Sequence, residues 1–480
     1  MSLRSLVIVF TSALLVLSPT GCGGGSSQNG DTGMAVSAAD PGLQKFAVSI
    51  QGDDVGYMQL EIRDHGEDSL LILQSIDWNM ILMGNRRDIQ MTLEAVAARD
   101  YDLGRMEMRM TDGSAEISVN AVRRDSLLVT EIGTAGRMIE NSTVIGGDYL
   151  PVLADLACAS MEWTEGQNRE FRSFDPASGM IISSSAVCEG FEAVSLLGDT
   201  VEAARLKLSQ MGTTNTVWVY DGQIVREYEG GLGMEMTRVP PQQGGEITAT
   251  RDLYEVFAVT STPVEDPRSV RSRTFILEGE IDWSTFQLNV PPVQTARGCT
   301  VHVDNSTPDN SVPYPVQSVP DSLLQFTEAR SMIQSRDSLI AAKADSITVG
   351  CATAWEAARR ICGFVDTAVE NSPTVSLPSA VEVLENLRGD CNEHTILTVA
   401  LARAAGIPAR VCAGIVYLDG AFGYHAWPMV WTGRWVEMDP TFGQYVADGT
   451  HIILAVGDLE SQYVINSAIG RLSVREVVSN

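Results

Sequence analysis

The chain has 480 residues, with 33 Lys and Arg against 61 Asp and Glu and a formal net charge of −28. That length supplies about two to four domains, each able to bury a core. Acidity on this scale excludes nucleic acid, and anionic membranes approached through surface charge, as partners. Spread along a chain that is 44% hydrophobic, it serves solubility more than function.

Residues 1–22 read as a targeting segment. Arg4 is the positive start, Leu6 to Leu17 an apolar run too short to span a bilayer, and Thr20-Gly21 small residues before Cys22. The segment resembles a bacterial lipoprotein signal. That resemblance implies Cys22 as the lipidated first residue of a mature protein held in the cell envelope, on the outer membrane or periplasmic side. Pro19 stands where such signals carry Leu, and ordinary secretion is the alternative. Residues 23–43 are rich in Gly, Ser and Asp and form a flexible tether.

Residues 44–240 are β-rich. Short apolar or alternating runs recur at Gly56–Ile62, Leu70–Gln74, Met106–Met110, Ala115–Val119 and Ser126–Thr130, with turn signals at Thr111-Asp112-Gly113 and Asn141-Ser142. Regular short strands predict a curved antiparallel sheet or half-barrel. Residues 148–157 and 201–208 read as short helices, and Thr216–Val225 as a hairpin around Asp221-Gly222. The run of strands is loosely similar to the half-barrel domains of bacterial lipoprotein-sorting and related envelope proteins. Such a domain would bind an apolar ligand or, the reading preferred here, pack against and position an enzyme.

Pro240-Pro241 followed by Gln and Gly marks a boundary. Residues 241–306 read as a β module or an extension of the first domain. Residues 307–320 carry four prolines and form a linker. Residues 321–480 are the last domain. Asp321 fits a helix N-cap before a charged helical pattern over residues 323–344. Further helices are expected at 353–369 and 379–387, and closing elements at 452–456, 462–465 and 472–478.

The chemistry concentrates between Leu387 and Gln444. Arg388-Gly389-Asp390 reads as a turn, and from Cys391 the apolar spacing becomes helical, with Gly406 and Pro408 ending the helix. A cysteine in the first turn meets free backbone N–H groups and the positive end of the dipole, which favour thiolate and can donate to an oxyanion. Strands follow at 409–417, 423–430 and 434–438. Pairing Val430 with Arg434 across a three-residue loop, Trp431-Thr432-Gly433, sets His425 opposite Asp439 on one face. Trp427 and Trp435 fall on that face and would shield the site. A thiol, an imidazole and an orienting carboxylate are what nucleophilic acyl transfer needs.

The runs G-D-C-N-E-H-T, A-L-A-R-A-A-G-I-P-A-R, G-Y-H-A-W and W-V-E-M-D-P-T resemble the transglutaminase-like superfamily of papain-like cysteine enzymes, over about a fifth of the chain. The resemblance implies an α+β papain-like domain with Cys391, His425 and Asp439 as its triad. It implies thiol chemistry on protein or peptide amides: peptidase, amidase or protein-glutamine transglutaminase. No cofactor or metal is called for, and no acidic calcium loop is present.

Other readings stand beside it. A non-catalytic binding or assembly lipoprotein would use the same fold as an interaction module. A zinc site would draw on Cys391, His394, His425 and Asp439, without the second Cys pair that zinc motifs carry. His451 reads as structural. Of the eight cysteines, Cys158, Cys188, Cys299, Cys351, Cys362 and Cys412 are left after Cys22 and Cys391, and their pairing stays open. Cys351 and Cys362 on one continuous helix would stand ~16 Å apart, too far to bridge.

Overall fold

The computed structural model describes residues 42–477, apart from 83–84, 112–115, 135–136, 177–179, 211–212, 232, 245–246, 248–249, 251, 253–257, 306–307, 331, 373–378, 458–463 and 466. The targeting segment, Cys22, nearly all of the tether, and Asp112-Gly113 lie outside the described residues. The chain forms two compact units, one ending at Leu253 and the other beginning at Tyr254.

The first unit is one sheet, with fourteen antiparallel strands among the described residues. Eight successive strands, Leu43–Ile50 to Arg137–Val144, make one meander. Six more, Asn168–Asp175 to Met234–Val239, make a second. The two join where Leu43–Ile50 pairs with Met234–Val239. Strands Arg137–Val144 and Asn168–Asp175 form the two edges, so the sheet is open. Burial alternates along the strands: Phe46, Val48 and Ile50 face inward while the residues between them are half-buried. Helix α1 (Ala154–Ser160) buries Leu156, Ala157 and Cys158 and packs on strands Thr213–Tyr220 and Gln223–Glu229.

Three local expectations are corrected here. Residues 201–208 are not a helix but part of strand Asp199–Gln210, where Ala204, Leu206 and Leu208 are buried between exposed Arg205 and Lys207. That is a period of two, which a helix cannot satisfy. The expected helix at 148–157 begins only at Ala154. Asn141 and Ser142 are not a turn; they pair with Thr130 and Val129 inside a strand.

Among the described residues the second unit holds two larger sheets, a two-stranded parallel pair of Glu370–Asn371 with Arg388–Gly389, and a helical layer. Strands Ser272–Glu278, Gln294–Arg297 and Thr300–Asp304 form a sheet with Thr260–Ser261 and, from the far end of the chain, Ser473–Glu476. The module that starts the unit is thus completed by its last strand. The other sheet runs Trp435–Glu437, Ala421–Trp431, Ala409–Leu418, Ile452–Gly457, all antiparallel. Helices α2 (Ser338–Thr348), α3 (Ala354–Ala368), α4 (Ala380–Asn386) and α5 (Cys391–Ala404) share one core with it. Ile340, Ile361, Val365, Ile396, Leu397 and Val399 from the helices meet Val411 and Val430 from the strands and Met438 just past a strand end.

Thr353 caps α3, its side chain accepting from the Glu356 N–H. The expected start at Asp321 is corrected. Asp321–Thr327 is a short 3-10 turn, and the α-helix starts at Ser338 under Asp337, whose side chain accepts from the Leu339 N–H. Both aspartates precede Ser-Leu, so the local signal is the same. Ile340 and Ala344 find a core and are buried, whereas Leu324 is 48% exposed.

Candidate active site

Helix α5 is buried nearly all round, from Cys391 to Arg403, as a helix at the centre of a domain must be. Its start is a capping box. The Asp390 side chain accepts from the Asn392 N–H at 2.8 Å, and the Asp390 N–H donates to Glu393 Oε2 at 2.8 Å. Gly389 is required there, because a Cβ would come within 2.2 Å of the Glu393 Cβ. This fixes Cys391 at the first helical position, against the Ala426 backbone N–H, one residue beyond His425.

The sequence reading gave the thiol a thiolate-favouring environment, and the structure opposes it. Burial pushes the Cys391 thiol well above its usual range, and the neighbouring Asp390 charge adds to this. The Ala426 N–H works the other way without prevailing. Asp390 is itself pushed well up, by burial and then by Glu393 beside it. The resting sulfur is therefore a protonated, fully buried thiol.

His425 stands on strand Ala421–Trp431 opposite Gly414. Gly414 admits no larger residue, since a Cβ would lie 2.0 Å from the Ile452 carbonyl and 3.0 Å from the Trp427 ring. The next hairpin differs from its expected register. Val430 faces Val436 and Trp431 faces Trp435, so the loop is Thr432-Gly433-Arg434 instead of Trp431-Thr432-Gly433. Pairing of the two tryptophans closes the hairpin, and Gly433 takes the left-handed conformation, with φ +112°. The shift of two residues keeps Asp439 on the His425 face but makes it a diagonal neighbour, just past the strand end at Glu437.

The two side chains still meet. His425 Nε2 lies 2.8 Å from Asp439 Oδ2, both groups being fully buried. Asp439 can only accept, so Nε2 carries the proton and Nδ1 is left as the basic nitrogen. Nδ1 is buried without a hydrogen-bond partner among the described residues. Burial holds the His425 pKa below its usual value against the pull of Asp439. Asp439 is held below the usual carboxylate range: burial opposes this, but His425 and His451 outweigh it.

The imidazole is held between rings. Phe442 stacks on it at 4.9 Å and 21°, and Trp427 lies at 5.9 Å and 21°. Trp427 Nε1 donates to Glu437 Oε1 at 2.6 Å. Burial pushes the Glu437 carboxyl up to about 7. Trp435, expected to shield the site, packs against the cluster that holds Trp427, meets Phe326 edge-on at 5.5 Å and takes the Arg410 guanidinium at 4.1 Å.

His451, read from sequence as structural, joins the site. Its Nε2 lies 3.0 Å from the same Asp439 Oδ2. Among the described residues, His425, Asp439 and His451 are the His, Cys, Asp and Glu groups that converge, with donor atoms within 4.8 Å. Both imidazole N–H groups are already spent on Asp439, so the cluster reads as a hydrogen-bond network. The alternative zinc set is not assembled: His394 turns Nδ1 to its own helix, 2.6 Å from the Asp390 carbonyl. All seven cysteines among the described residues are free thiols.

A model of the transglutaminase-like superfamily matches residues 341–440. Those residues are a transglutaminase-like domain. The match holds Cys391, His425 and Asp439; His451 lies beyond it. A 71-residue stretch is 35% identical to the uncharacterized protein ML0607 of Mycobacterium leprae (strain TN), covering 13% of this chain and 25% of that protein. The chain thus spans a quarter of the length of that curated relative. Two solved structures overlap weakly. One is a beta-barrel-like protein of Brucella abortus, from a domain of unknown function, DUF1849: 10% identical, TM-score 0.32, over 41% of this chain and 94% of that one. The other, from Cytophaga hutchinsonii, is named a "Putative Cysteine Protease": 18% identical, TM-score 0.29, over 46% and 84%. At such scores neither bears on fold or function here.

Proposed function

We propose that the protein is an envelope-anchored thiol acyl-transfer enzyme acting on protein or peptide amides through Cys391, His425 and Asp439, its anchor a lipid on Cys22. The observation that carries the reading is the buried His425–Asp439 hydrogen bond, which leaves Nδ1 without a partner among the described residues, on the residue before Ala426, whose N–H meets the thiol. A base whose far nitrogen is fixed by a carboxylate is the element that separates a reacting cysteine from a packed one.

The chemistry follows from the protonation states. As an amide carbonyl arrives, the Cys391 proton moves to His425 Nδ1 and sulfur bonds to the carbonyl carbon. The tetrahedral adduct collapses, the C–N bond breaks, and Nδ1–H protonates the departing amine or ammonia. Water or a second amine then attacks the thioester, giving its proton to Nδ1. The C–S bond breaks and Nδ1–H returns its proton to sulfur, so the Cys391 thiol is restored and the acid or the new amide leaves. With water the outcome is peptidase or amidase activity, which we favour; with a lysine amine it is crosslinking. Because the thiol is fully buried, substrate entry requires the cover to move. The same burial favours one second reading, a binding or assembly module in which the thiol never reacts.

The test uses the full chain and a protein substrate such as casein, with and without a fluorescent primary amine. Cleavage and ammonia release are followed by mass spectrometry. The wild type is expected to act and Cys391→Ala to be inert, with amine incorporation marking the crosslinking branch. Inert wild-type protein, together with cellular function intact in Cys391→Ala, would establish the binding module instead.

A further inference from the structure

Asp439 is shared. Its Oδ1 accepts from the Thr441 and Phe442 N–H groups at 2.8 and 3.1 Å. Its Oδ2 accepts from His425 at 2.8 Å and His451 at 3.0 Å. The other nitrogen of His451 faces a second carboxylate, Nδ1 lying 3.3 Å from Asp448 Oδ1. Asp448 is anchored in turn. Arg268 Nη1 donates to its Oδ2 at 2.7 Å and Gln444 Nε2 at 2.8 Å, while Thr450 donates twice to Oδ1. Arg268 also donates to the Tyr417 carbonyl at 2.6 Å and lies 4.8 Å over Phe442, the ring stacked on His425.

We propose that His451 is a positioning residue of this site: an imidazolium clamped between Asp448 and Asp439, which holds the Asp439 carboxylate to His425 and offsets its charge. The proposal rests on the reading of Cys391, His425 and Asp439 as the reacting set. Its own basis is geometric. A neutral imidazole has one N–H, and here both nitrogens face carboxylate oxygens. Only the doubly protonated ring satisfies both, in a place where His451, Asp439 and Asp448 have no solvent exposure.

The surrounding charges agree. The groups facing His451 are Asp439, Asp448, His425, Glu437 and, through Asp448, Arg268. Burial works to lower the His451 pKa, but the Asp448 charge and the hydrogen bonds to both carboxylates prevail and push it up to about 10. Two carboxylates thus face two fixed cations, so little net charge is left to draw a proton onto His425. The consequence reaches the mechanism. In papain-like enzymes the pair can rest as thiolate and imidazolium. Here it rests as thiol and neutral imidazole, and the proton moves only when the substrate carbonyl arrives.

The experiment is ¹⁵N NMR titration of the imidazoles in the full chain. With five histidines, the signals can be assigned by single replacements. In the wild type both nitrogens of His451 should stay protonated at pH 8, and His425 should be the neutral Nε2–H form at pH 7. His451→Gln keeps an N–H for Asp439 but removes the charge. There His425 should titrate at higher pH, because a repelling cation is gone, and the acid limb of kcat/KM should shift upward with it. Asp448→Asn should bring His451 down toward 6.5, the ordinary value. A wild-type His451 that titrates near 6.5 would overturn the clamp, as would a His425 unmoved in a folded His451→Gln. Loss of structure alone lowers activity without moving the limb. Should His451→Gln not fold, the wild-type and Asp448→Asn titrations decide. The titrations need no substrate, so normal titrations in a protein inert on every amide would sink the acyl-transfer reading and leave the clamp standing.

Discussion

The two units treat charge in opposite ways. In the N-terminal sheet, charged side chains line the outer surface in exposed pairs, such as Arg105 with Glu94 and Arg63 with Glu61. In the second unit, Asp390, Glu393, Arg403, His425, Glu437, Asp439, Asp448 and His451 are all buried. Burying a charge costs several kcal/mol unless it is paired and hydrogen-bonded. A fold carries that cost where orientation matters, and most of these groups adjoin the thiol or the imidazole. The sheet has a smaller counterpart in Glu227, bonded to Asn215 at 2.7 Å and pushed up to about 8 by burial and then by Asp155. No reactive group has been assigned beside it.

The sharpest way to press the comparison is Asp439→Asn. The amide nearly matches the carboxylate in shape but can present an N–H to His425, leaving the proton on the wrong nitrogen. Loss of about 10⁴-fold in turnover is expected, as for other triads with that change. Circular dichroism should show the fold retained, since the Thr441 and Phe442 N–H groups can still be accepted. Full activity would mean that some other group orients His425.

A smaller effect lies in the alkaline stability of the second unit. A group whose folded pKa is raised contributes stability that is complete below its unfolded pKa and is lost as pH rises through the folded value. For His451 that window runs from 6.5 to about 10. Glu437 and Glu227 lose their contributions by about 7 and about 8, while the buried thiols, raised above their usual 9.0, start to contribute to the loss within about one pH unit below that value. Between pH 8 and 9, therefore, His451 contributes a loss of up to about 1.4 kcal/mol per pH unit for one proton, in addition to the loss from the buried thiols. Urea unfolding at those two pH values should show a fall that is steeper in wild type than in His451→Gln by up to that amount. Equal slopes would mean that His451 is neutral in the fold.

What the sequence made legible follows the same division. Local signals held where tertiary context agreed with them. The helices expected from 353 and from Cys391 are present, with Thr353 and Asp390 as their caps, and alternating strands such as Gly56–Ile62 lie in the sheet. The same Asp-Ser-Leu signal succeeded at 337 and failed at 321, because only the first is followed by residues that find a core. At residues 201–208 a helix was expected where Lys and Arg in fact alternate with buried apolar residues. The parity of His425 and Asp439 was legible and their exact pairing was not, because the Trp431–Trp435 contact sets the hairpin. His451 and Arg268 were not legible at all. Arg268 reaches Asp448 across 180 residues of sequence, and no spacing rule spans that. The D-G-T-H run did hold one clue, an Asp placed to accept from the Thr450 N–H and to face the following imidazole.

The smallest effect tests the other side of the comparison. Glu94 and Arg105 meet at 3.3 Å on adjacent strands, each 51% exposed. Water already solvates both groups, and holding two long side chains in one geometry costs rotamer freedom that offsets the Coulomb gain. Glu94→Gln should therefore change the unfolding free energy by no more than about 0.5 kcal/mol, and raising the salt should erase what remains. Urea midpoints at low and high ionic strength measure both. A loss of several kcal/mol would mean that the outer face of the sheet is covered in the intact protein and that its charges are as structural as those around Cys391. Near-neutrality would leave buried charge concentrated in the second unit, around the imidazole of His425.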